Sequence, residues 1–164
     1  MEKRPETFEE FCTTITKVVE VPFLKMGELP PTWFLQKKSG EVGIFCTPWG
    51  DTDEKDSVND QMKSLMERNE IVRYALVTES WLVTLPSPPE GTTIKSYRGP
   101  RPSQHPDRKE VIIVVGGDRE GNSVEGSADI IRDDGGKATL GEFKLEFNKY
   151  TMQGRFVNLL RRIH

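Results

Sequence analysis

The chain has 164 residues, and its 23 Lys and Arg nearly cancel its 26 Asp and Glu to leave a formal net charge of -3. That length fits one domain, residues 1–164, large enough to bury a core without disulfides or metals. The missing basic surplus argues against a protein whose main task is wrapping nucleic acid. No apolar run approaches the ~18 residues of a membrane span, and the opening Met-Glu-Lys-Arg-Pro-Glu has no apolar signal segment, so a cytoplasmic protein with no membrane contact is expected.

Phe8, Phe11, Cys12, Ile15, Val18 and Val19 recur at helical spacing and predict an amphipathic first helix. Thr7 with Glu10 three residues on makes a capping-box pattern at its start, and Pro22 is expected to limit its far end. Residues 32–36 and 41–47 read as two strands of a hairpin joined by Lys37-Lys38-Ser39-Gly40. Acids at 51, 53, 54 and 56 suit the positive end of a second helix, whose narrow apolar face is Val58, Met62, Leu65 and Met66. They lack the glycine and terminal glutamate of a calcium loop. Cys12 and Cys46 share no motif and are expected to be reduced core residues.

Residues 71–85 form a long apolar strand, and alternation places Glu79 on the face shared by Ala75, Val77, Trp81 and Val83. A carboxylate among such neighbours needs a cation or hydrogen bonds, or its pKa rises. Arg98, Arg101 and Arg108 are the candidate partners. Residues 111–115 are all aliphatic, which predicts a central strand covered on both faces, ended by Gly116-Gly117. Further strands follow at 124–132 and around Phe143, Leu145 and Phe147, separated by turns at 118–122 and 133–136. Phe156, Val157, Leu159 and Leu160 read as a final packed segment. Short Gly and Asp turns favour antiparallel order, so the expected fold is α+β: a mainly antiparallel sheet of about five to seven strands with two amphipathic helices packed on one side.

Most of the chemistry lies in residues 99–110, Gly-Pro-Arg-Pro-Ser-Gln-His-Pro-Asp-Arg-Lys-Glu, where three prolines stiffen a polar loop. If that loop is extended, Ser103, His105 and Asp107 share one side near Glu79, an arrangement that supports proton transfer. A lone loop histidine is more simply a solvated or backbone-bonded side chain. Lys95, Arg98, Arg101, Arg108 and Lys109, with Tyr97 interleaved and Trp81 and Trp49 expected nearby, would suit an anionic ligand and, less well, a single nucleic-acid strand.

Three stretches, Tyr74-Ala75-Leu76-Val77-Thr78-Glu79-Ser80-Trp81, Pro102-Ser103-Gln104-His105-Pro106-Asp107-Arg108-Lys109-Glu110 and Gly154-Arg155-Phe156-Val157-Asn158-Leu159-Leu160, resemble a set of uncharacterised prokaryotic proteins, from about Gly43 onward. The resemblance implies no activity. The chain carries no phosphate-binding Gly loop, no G-x-S-x-G elbow and no H-E-x-x-H. With two histidines, one of them terminal, no metal site and no cofactor is expected.

The leading expectation is therefore a small binding or regulatory module rather than an enzyme. Its site would comprise Glu79, Trp81, Arg101, Ser103, His105, Asp107 and Arg108, and its partner would be a protein or a small anion. The alternative is a hydrolase using Glu79 and His105 as acid and base, with Arg101 or Arg108 holding an anionic group.

Overall fold

The computed structural model describes residues 4–82, 104–148 and 159–160. Helix α1 (Phe8–Met26) is followed by strands β1 (Thr32–Lys37) and β2 (Val42–Cys46), helix α2 (Thr52–Arg68), and strands β3 (Ile71–Leu82), β4 (Lys109–Asp118), β5 (Ser123–Arg132), β6 (Ala138–Leu140) and β7 (Lys144–Asn148). The strands form one antiparallel sheet in the order β2-β1-β3-β4-β5-β6, with β7 also paired to β5. The class is α+β, as the alternating patterns predict.

Both helix starts follow their sequence signals. Glu10 N–H donates to Thr7 Oγ1 at 3.1 Å while Thr7 N–H donates to Glu10 Oε2 at 2.8 Å, a complete capping box. Asp51 caps α2 by accepting from Glu54 N–H at 2.7 Å. Pro22, in contrast, does not end α1, which runs on to Gly27 in the left-handed conformation at φ 74°. Pro22 lies on the exposed side, where solvent can serve the freed carbonyl, and the fully buried Phe23 anchors the turn beyond it.

The helices sit on opposite faces of the sheet, not on one side. Phe8, Phe11, Cys12, Ile15, Val19 and Phe23 of α1 pack with Phe34, Ala75, Val77, Ile112 and Val114. Met62 and Met66 of α2 pack with Trp33, Leu35, Tyr74 and Leu76, and Leu159 and Leu160 close that second cluster. β1 and β3 are apolar at both parities, so each face buries a separate core and each needs a cover. Phe143, Leu145 and Phe147 fall on the α1 side, as their alternation with Glu142, Lys144 and Glu146 predicts.

Two further expectations are corrected. Gly116 and Gly117 do not end β4; they lie inside it, opposite Ala75 and Tyr74. A Cβ on Gly116 would stand 2.3 Å from the Tyr74 carbonyl oxygen, so glycine here permits close approach of two backbones. Both cysteines are free, but only Cys12 is in the core; Cys46, on edge strand β2, is exposed. The turn after β4 is tied by Asp118, whose Oδ1 accepts from the backbone N–H of Glu120 and Asn122 and whose Oδ2 accepts from the Asn122 amide.

Candidate functional site

The α1-side core cluster ends at Val77 on β3, Ile112 on β4 and Ile130 on β5. There alternation stops delivering apolar side chains and delivers Glu79 and Trp81 from β3, Glu110 from β4 and Arg132 from β5. Pairing of Glu79 with Ile112 and of Trp81 with Glu110 sets them side by side. Lys109, Glu110, Asp129, Ile130, Ile131 and Arg132, with Trp81 and Arg108, line a cleft of about 450 Å³.

Glu79 occupies the boundary between core and cleft. It is half-buried, and its Oε1 is enclosed without a hydrogen-bond partner among the described residues. Burial raises its pKa above the ordinary carboxylate value, a shift that the Leu29 backbone and the Arg132 charge oppose and that the nearby Glu110 and Glu28 carboxylates reinforce. Among the described residues the cation acting on Glu79 is thus Arg132, and not Arg108. Arg132 is itself engaged: its Nε donates to Glu110 Oε2 at 2.7 Å and its Nη2 to Oε1 at 3.0 Å, a bidentate pair that lowers the Glu110 pKa.

Arg108 serves Trp81 instead. Its guanidinium carbon lies 4.9 Å from the ring centroid, and its Nη1 donates to the His105 carbonyl at 3.2 Å. Trp81 is 40% exposed, an unusual state for an indole in a sheet. The two aromatics expected together are apart: Trp49 packs against the α2-side cluster, with Lys55 5.8 Å from its ring.

Residues 105–108 form a turn, with Arg108 N–H donating to the His105 carbonyl at 3.2 Å and Pro106 at the second position. His105 Nδ1 accepts from the Asp107 backbone N–H at 3.0 Å, so the imidazole is held by its own loop. The extended geometry that would align Ser103, His105 and Asp107 is absent over 105–108. Ser103 and Arg101, with Lys95, Tyr97, Arg98 and Val83, lie outside the described residues. Of the predicted site, Glu79, Trp81 and Arg108 meet at the same end of the sheet, whereas Glu79, His105 and Asp107 are not among the residues lining the cleft.

Arg132 is the residue that sequence reasoning missed. Its signal was present: it continues the Ala128, Ile130 alternation, so a charge was due on the covered face. Recognising its neighbours required the pairing of β4 with β5. Among the described residues no three His, Cys, Asp or Glu side chains are grouped as metal ligands would be, and no helix is long and apolar enough to cross a membrane. No protein-family model, curated protein or solved structure matches the chain.

Proposed function

We propose that the protein is a small binding module that takes an anionic group at the open β3–β4–β5 end of its sheet. The observation that carries this reading is Arg108 held over the exposed Trp81 ring at the cleft. Contact with the ring restricts the guanidinium and limits the entropy lost on binding, while among the described residues its remaining N–H donors have no partner and can face a carboxylate or phosphate. Among the described residues the cleft carries Arg108, Lys109 and Arg132 against Glu110 and Asp129, and the Arg132–Glu110 pair neutralises itself, leaving Arg108 and Lys109 as the available cations.

Isothermal titration with inorganic phosphate, malonate and a short acidic peptide tests the proposal. At least one should bind, and Arg108→Ala or Trp81→Ala should weaken it about tenfold, the loss of roughly 1.4 kcal/mol expected from a charge-assisted contact and its aromatic platform. Binding that survives Arg108→Ala unchanged, or no heat with any of the three, defeats it.

A hydrolase using Glu79 and His105 is favoured by one observation, the raised Glu79 pKa. The backbone-held His105 ring and the absence of both side chains from the cleft lining weigh on the other side. Ion-pair clusters without catalysis perturb carboxylates in the same way.

A further inference from the structure

Strand β2 is an edge without the usual protection. Among the described residues it pairs with β1 alone. Its five residues, Val42, Gly43, Ile44, Phe45 and Cys46, contain no charge, no proline and no register shift. Val42 is 42% exposed, Ile44 57% and Phe45 41%. Natural sheets guard such edges with lysine, proline, bulges or a covering element, because an open apolar edge is a template for another strand.

The hydrogen-bond pattern of the hairpin decides which groups are on offer. Lys37 N–H donates to the Glu41 carbonyl and Thr47 N–H to the Pro31 carbonyl, each at 2.9 Å. In an antiparallel pair the inward-bonding positions alternate, so 41, 43, 45 and 47 point their backbone groups at β1. Val42, Ile44 and Cys46 therefore direct their N–H and C=O groups away from the sheet.

We infer that β2 pairs with β2 of a second copy of this chain, antiparallel and centred on Ile44, to form one sheet continuous across both subunits. This register matches Ile44 with Ile44 and Val42 with Cys46 of the second copy. Each is an outward-bonding residue facing another, so every pair exchanges both of its hydrogen bonds. A shift of the centre to Gly43 or Phe45 leaves one outward residue on each strand without such a partner. The side chains agree with the bonds. A two-fold axis perpendicular to the sheet keeps the α1 faces on one side, where Val42, Ile44 and Cys46 meet only apolar groups. On the other side Phe45 lies across from the second copy's glycine at position 43, the residue type that leaves space for its ring. That ring already rests against Gly43 of its own strand, where a Cβ would stand 2.9 Å from it. An isologous contact of this kind closes on itself, so it yields a dimer and not a fibre.

Sedimentation velocity of the full chain over a dilution series tests the inference. Twice the monomer mass is expected at high concentration, falling towards the monomer on dilution. Ile44→Lys should give the monomer throughout. Ile44→Pro should do the same, because the Ile44 N–H is not used by β1; circular dichroism and the melting midpoint report whether either variant keeps its fold. A wild-type monomer at every concentration overturns the inference. So does a dimer that persists in folded Ile44→Lys.

Discussion

Glu79 and Cys12 show how one cause, burial, acts on single side chains. Burial raises the folded-state pKa of Glu79 above that of the unfolded chain. An acid shifted this way costs stability once pH exceeds its unfolded value and costs nothing when both states are protonated. Glu79→Gln should therefore raise the urea midpoint at neutral pH, by on the order of a few tenths of a kcal/mol because water screens a half-buried group. The gain should vanish as pH falls below the carboxylate range; a loss of stability at neutral pH would instead mark Glu79 as a paired anchor. Burial pushes the Cys12 thiol up to about 12, so it holds almost no thiolate at neutral pH. With a thiol reagent, Cys46 should react in the native protein and Cys12 only in denaturant; equal native rates would contradict the packing. The placement of Glu79 was legible from alternation alone. That of Cys46 was not, since Gly43-Ile44-Phe45-Cys46 reads as core until strand order shows it at an edge.

Among the elements, local signals carried the helices and nonlocal ones the sheet. Thr7, Glu10 and Asp51 mark helix starts because caps act within one turn, and the structure places each cap at its predicted position. Pro22 misled because its effect depends on which side of the helix it faces. The two glycines of β4 misled for a similar reason: a glycine pair marks a turn as readily as a close backbone approach, and the decision lies with Tyr74, more than forty residues away in sequence. Gly116→Ala should lower stability by about 1–3 kcal/mol, the typical cost of forced overpacking, read as a fall in the denaturation midpoint. A neutral substitution would show that β3 and β4 can part without cost. The turn at 105–108 belongs to the same class: Pro106 suits a turn's second position as well as an extended chain, and the Arg108 hydrogen bond selects the turn.

At the scale of the molecule, the α+β class followed from pattern, because apolar strands at short spacing and two amphipathic stripes leave few ways to bury both. The number of covered faces did not follow. It depends on β1 and β3 being apolar at both parities, which the strand pairing makes plain. The cleft lies where that plan gives out: past Val77, Ile112 and Ile130 the α1-side face carries Glu79, Trp81 and Arg132 in place of aliphatic residues. Strand order has one more consequence. β1 is made early but its inner neighbour is β3, which follows all of α2. A chain emerging from the ribosome holds Trp33, Phe34 and Leu35 in a hairpin with no third strand until residue 82 has been added. Such distant pairing slows folding and leaves greasy surface open meanwhile. Between the completion of α2 and that of β3, the apolar hairpin thus waits without its inner neighbour, the stage at which a nascent chain is open to wrong partners.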